Sequence, residues 1–147
     1  MVATAQFTWR EVNGVVHTRA TVPEKEPATA RGPSLCGCLM RIRDKMPRVV
    51  FMAQGARRDA WWGTPEHPCA VNAVRIYPTF GQPPSPVQVH ALDLVPERDL
   101  HYLATSSFEQ MLYHAEWEGQ VPPDADPWSV SFAHRLRKTR EALQFGG

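Results

Sequence analysis

"FTWREVNGVVHTRA", residues 7–20, decides how this chain begins to fold. Asn13-Gly14 sits between two strand-like runs, and a type I′ turn, which needs positive φ at both central residues, is the connection such a dipeptide favours. Pairing Val12 with Val15 puts Phe7, Trp9, Val16 and Ala20 on one face and Arg10, His17 and Arg19 on the other, because side chains alternate along a strand. The first of these faces seeks a core.

Downstream, "RVVFMAQ" (48–54), "AVNAVRIY" (70–77) and "VQVHALDLV" (87–95) are further strand candidates, the last two separated by the proline-rich "PTFGQPPSP". Between the hairpin and these strands, about 23–47, prolines, glycines and mixed charges read as a long loop excursion in which "CLMRIRD" holds at most a helical turn or short strand. Two helices are expected at the C-terminal end. Ser106 and Glu109 have capping-box spacing, with Phe108, Met111, Leu112 and Ala115 on one face. Asp126, Pro127 and Gly146 bound a second helix striped by Trp128, Phe132, Leu136, Thr139 and Leu143. The expectation is an α+β fold: a mostly antiparallel sheet of about five strands, starting with the hairpin and packed by two C-terminal helices.

A chain of 147 residues fits a single globular domain, 1–147, able to bury a core without disulfide staples. Fourteen prolines imply many loops. No stretch approaches the roughly 20 apolar residues that span a bilayer, and the start lacks a basic leader, so no membrane association and a cytoplasmic location are expected. Three cysteines in such a chain point to reduced thiols or metal ligands rather than a disulfide framework.

The net charge of +1 conceals a segmented pattern. Residues 31–75 carry eight basic and three acidic side chains, whereas 76–134 carry one and eight. Either the fold pairs these regions internally or it displays a basic and an acidic face to partners. Arginine outnumbers lysine thirteen to three, which suits planar recognition of phosphates and carboxylates.

Three constellations could carry chemistry. "SLCGCLMRIRDK" (34–45) offers Cys36 and Cys38, and "EHPC" offers His67 and Cys69 after 28 intervening residues. Together they could hold one structural zinc that ties the excursion down, although one residue between paired ligands is tighter than the usual two to four. Three unlinked thiols is the plainer reading. "ARRDAWWG" mixes Arg57 and Arg58 with Trp61 and Trp62, a composition used to grip a phosphate chain or stack single-stranded bases. In an extended stretch one tryptophan would face the core and the other solvent. Arg41, Arg43, Lys45 and the basic back of the last helix, Arg137 and Lys138, extend this candidate surface for nucleic acid or a protein partner. Finally, Cys69 beside His67 or another histidine could form a thiol–imidazole pair, and His114 and Glu118 have i, i+4 spacing that usually makes an exposed ion pair.

No phosphate-binding glycine loop, dinucleotide fingerprint, nucleophile elbow or zincin motif is present. The leading expectation is therefore a small non-enzymatic binding or accessory protein whose Arg-rich and Trp-containing loops contact nucleic acid or an acidic protein. The alternatives are a protein-interaction subunit of a larger assembly and a small Cys/His-dependent enzyme.

Overall fold

In the computed structural model, which describes residues 4–78 and 82–118, both central residues of the first turn hold positive φ, Asn13 at 52° and Gly14 at 78°. They join β1 (Gln6–Val12) to β2 (Val15–Thr21), with Val12 opposite Val15 and Arg10 opposite His17. A third strand, β3 (Ala28–Gly32), pairs antiparallel with β2 and completes a sheet of order β1-β2-β3. A second antiparallel sheet, of order β4-β5-β6, is built from Ala60–Trp61, Ala73–Ile76 and Val89–His90. The class is α+β, but two three-stranded sheets replace the expected single sheet of about five strands.

The differences have local causes. "RVVFMAQ" is not a strand: only Ala53 bridges to Leu94, and a 3₁₀ turn at Gln54–Ala56 follows. Its burial is carried by Phe51, whose ring meets Phe7 edge-on at 5.4 Å, while Val50 points outward. "VQVHALDLV" keeps only two strand residues, because the backbone turns after His90, whose Nδ1 accepts from the Leu92 N–H at 3.1 Å.

The larger correction concerns the excursion at 23–47, which contains both β3 and an eleven-residue helix, α1 (Leu35–Lys45). Ser34 caps it, its hydroxyl accepting from the Gly37 N–H at 3.0 Å. Leu35, Leu39 and Ile42 follow helical spacing and are fully buried, each contributing about 1.5–3 kcal/mol by leaving water. Arg43 and Lys45 occupy the last turn, where cations suit the helix dipole, and Pro47 follows Met46 at the end. Gly37 interrupts the apolar pattern for a reason: a Cβ there would lie 3.2 Å from the Ser34 hydroxyl and 3.7 Å from the Trp62 ring. The helix packs on β2 and β3 and feeds two core clusters, one with Val16, Trp61, Val74 and Tyr77, the other with Ala20, Phe51 and Ala56.

The second helix, α2 (Ser107–Trp117), is capped by the Ser106 hydroxyl, which accepts from the Glu109 N–H at 3.2 Å. The Glu109 carboxylate reaches back to the N–H and hydroxyl of Thr105, one residue before the cap. Its buried face is Ser107, Gln110, Met111, His114 and Ala115, and Phe108 is 47% exposed. The apolar stripe is thus rotated from the expected one, because Gln110 and His114 are drawn inward by partners in the core. The expected helix between Asp126 and Gly146, with Arg137 and Lys138, lies outside the described residues. Among the described residues no helix is long and apolar enough to cross a membrane.

Candidate functional site

Several residues expected at a binding surface are structural. Arg43, 5% exposed, donates to the Ala56 carbonyl at 3.1 Å and to Gln110 Oε1 at 2.8 Å. Gln110 is fully buried and donates onward to the carbonyls of Gly55 (3.0 Å) and Ala60 (2.9 Å), so one polar bridge joins α1, α2 and the loop between them. Arg57, 8% exposed, forms a bidentate pair with Asp59 at 2.8 and 2.9 Å, lies 3.6 Å from Asp99 and covers the Tyr102 ring at 4.7 Å. The Asp59 hydrogen bonds push its guanidinium pKa above the usual arginine range. Arg58 donates to the His101 carbonyl at 3.0 Å. These arginines hold the 3₁₀ segment Glu97–Tyr102 against the core and are not a free patch.

The tryptophans also depart from the expected alternation. Trp61 and Trp62 stack on each other at 4.2 Å, and the His114 ring stacks on the other side of Trp61 at 4.2 Å. Tyr77 meets His114 edge-on at 5.0 Å. Trp61 is 6% exposed and Trp62 is half-buried, so both rings belong to the packing between α1 and α2 rather than to a base-stacking platform. The His114–Glu118 pair does form, at 2.7 Å, but from a buried imidazole.

The four candidate zinc ligands do not come together as one group among the described residues. Cys36 and Cys38 are buried in α1, directing their thiols at the carbonyls of Gly55 and Val16, both at 3.5 Å, while His67 and Cys69 lie in a separate turn closed by Thr64 and His67. Among the described residues no group of three or more His, Cys, Asp or Glu side chains could hold a metal. Burial pushes the Cys36 thiol up to about 12 and raises Cys38 and Cys69 as well, so thiolates are disfavoured at all three positions. No hydrogen bond joins Cys69 to an imidazole among the described residues, which leaves the thiol–imidazole pair without support.

What the fold does create is a groove on the first sheet. The register sets Arg10, His17 and Arg31 side by side across β1, β2 and β3, and Thr8, Arg19 and Thr29 in the next outward row. Neighbouring side chains in a row are about 4.8 Å apart across the strands, and rows repeat about every 6.8 Å along them. Their inward counterparts, Val16, Thr18 and Ala20, are buried under α1, so these two rows form the opposite, solvent-facing side. Two α1 side chains close one border: Arg41 Nη1 donates to the Arg31 carbonyl at 2.6 Å and the Lys45 ammonium donates to the Thr29 carbonyl. The resulting depression of about 550 Å³ is lined by Arg10, His17, Arg19, Arg31, Arg41 and Lys45, together with Trp9, Ala30 and threonines, and among the described residues by no carboxylate.

Of the expected surface residues that are described, only Arg41 and Lys45 line this groove. Arg10, His17 and Arg19 were visible as the outward face of the hairpin, but Arg31 was not, because β3 hides in a proline-flanked segment with no alternating apolar run. No protein-family model matches this chain, and a search of curated proteins finds none similar to it.

Proposed function

We propose that this chain is a non-enzymatic binding protein that takes nucleic acid on the outward face of its first sheet. The observation that carries the reading is the groove itself: five arginine and lysine side chains and one histidine converge on one surface with no acidic residue among the described residues lining it. Such a concentration of cations in one depression raises the local concentration of polyanions and gives planar guanidinium partners to phosphate oxygens. Trp61 and Trp62, the rings expected to stack bases, are stacked with each other and with His114 away from this groove. Contacts to the phosphate backbone, which carry no sequence information, therefore dominate.

Fluorescence anisotropy with labelled duplex and single-stranded oligonucleotides across a salt series tests this. Neutralising about four phosphates gives a slope of log affinity on log salt near −3 to −4. Binding that is absent for both forms, or indifferent to salt, rules the reading out.

A second reading, a subunit of a larger assembly, rests on a different surface. Val50, Met52 and Leu94 are 67%, 38% and 80% exposed and belong to one ribbon, held by the Ala53–Leu94 bridge and the Val95 N–H to Met52 carbonyl bond at 2.9 Å. Exposed apolar side chains grouped in this way are suited to a protein interface. Replacing Leu94 by lysine releases any protein captured through this ribbon and leaves the groove unchanged.

A further inference from the structure

The two outer edges of the first sheet are finished differently. On the β3 edge, the carbonyls of Thr29 and Arg31 accept from Lys45 and Arg41, so α1 covers that edge with side-chain donors. Covering an edge in this way prevents another strand from pairing with it. Among the described residues the β1 edge has no such cover. In a two-residue hairpin the pair flanking the turn, here Val12 and Val15, exchanges both of its hydrogen bonds. Arg10, Thr8 and Gln6 therefore bond inward to β2, and Phe7, Trp9 and Glu11 turn their N–H and C=O groups outward. Among the described residues no backbone or side-chain group bonds to these outward positions.

We propose that β1 pairs antiparallel with β1 of a second copy of this chain, about a two-fold axis at Thr8, giving one six-stranded sheet. Only registers that set outward-bonding residues opposite each other keep the ladder. An axis at Trp9 would bring Arg10 of both copies to diagonal positions about 7–8 Å apart, a like-charge contact. The axis at Thr8 removes that contact. It sets Thr8 against the second copy's Thr8, Phe7 against its Trp9 and Arg10 against its Gln6, so no charge faces a like charge. Phe7 and Trp9 are only half-buried in one chain, which leaves ring surface for cross-strand aromatic pairs worth about 0.2–1 kcal/mol each. Because the axis is perpendicular to the sheet, both α1 helices fall on one side and both basic faces on the other. The pairing rests on the strand edge alone and stands whether or not the groove takes nucleic acid.

Light scattering coupled to size exclusion, on the whole chain at concentrations up to roughly 1 mM, where even weak contacts populate, tests the pairing. The expected mass is about 33 kDa, twice the 16.6 kDa of one chain. Thr8→Arg sets two cations face to face at the axis, and Glu11→Pro deletes an outward N–H at an exposed position. Both variants are expected to run as monomers with unchanged far-UV circular dichroism, and if one fails to fold the other decides. A wild-type monomer across the whole range, or dimers that persist in the folded variants, would overturn the proposal.

Discussion

Arg57 lies 2.8 Å from Asp59 inside the protein, whereas Arg31 projects from the outward face of β3, so truncating each reports on a different property. Removing Arg57 leaves the Asp59 carboxylate buried without its partner, and Arg57→Ala is expected to lower the unfolding free energy by about 3 kcal/mol in urea denaturation. Arg31→Ala is expected to change it by less than about 0.5 kcal/mol, as surface substitutions do. The sequence "ARRDAWWG" contains nothing that separates these cases, since the partner that buries Arg57 is Asp59, two residues away, and the ring it covers belongs to Tyr102. Glu24 is a further residue-level test. It holds φ of 65° in a turn closed by the Lys25 N–H and the Val22 carbonyl at 3.1 Å, a conformation that glycine adopts without strain. Glu24→Gly is expected to stabilise by about 1 kcal/mol, read as a raised melting temperature. Cys36 sets an alkaline limit. Burial holds its thiol protonated up to about 12 in the folded state, against 9.0 unfolded, so the unfolded chain loses its proton first as pH rises. The stabilisation is complete below pH 9 and is lost between 9 and about 12, at up to about 1.4 kcal/mol per pH unit. Thermal melts between these limits are expected to fall less steeply for Cys36→Ala.

At the scale of elements, α1 organises both core clusters, and its start depends on one side chain. Ser34→Ala removes the acceptor for the Gly37 N–H and is expected to cost about 1 kcal/mol. Gln110→Leu removes the Oε1 acceptor of the buried Arg43 guanidinium and the amide donor to the Gly55 and Ala60 carbonyls, at an expected cost of about 2–4 kcal/mol in the same denaturation. The elements differed in how well they could be read from sequence. Asn13-Gly14 and the Ser106 cap carry their signals within four residues, which is why the hairpin and α2 were legible. The helix α1 was not, because Gly37 and a cysteine pair stand where helix-forming side chains would mark it, and the tight spot at Gly37 is the capping Ser34 hydroxyl, 3.2 Å from where a Cβ would lie. The second sheet was equally obscure, since strands of two to four residues give no period to detect. The inward rotation of α2 depends on Gln110 meeting carbonyls that only the folded chain brings near.

Across the whole molecule, the charge segmentation has two outcomes at once. Arg43 and Arg57 are bonded internally, whereas Arg31, Arg41 and Lys45 join the hairpin's Arg10 and Arg19 on one face. The four residues expected to form a zinc clasp do not make a group that could hold a metal among the described residues, and α1 buries both of its cysteines. The surface proposed to take nucleic acid is one that no single segment of sequence displays. It arises when three strands set Arg10, His17 and Arg31 in one row. The most direct measurement is oligonucleotide affinity at fixed salt for Arg31→Glu beside Arg98→Glu, an exposed arginine that does not line the groove. The account predicts a loss of at least about tenfold for Arg31→Glu, with little change for Arg98→Glu. Equal losses in the two variants, or none in either, would contradict it.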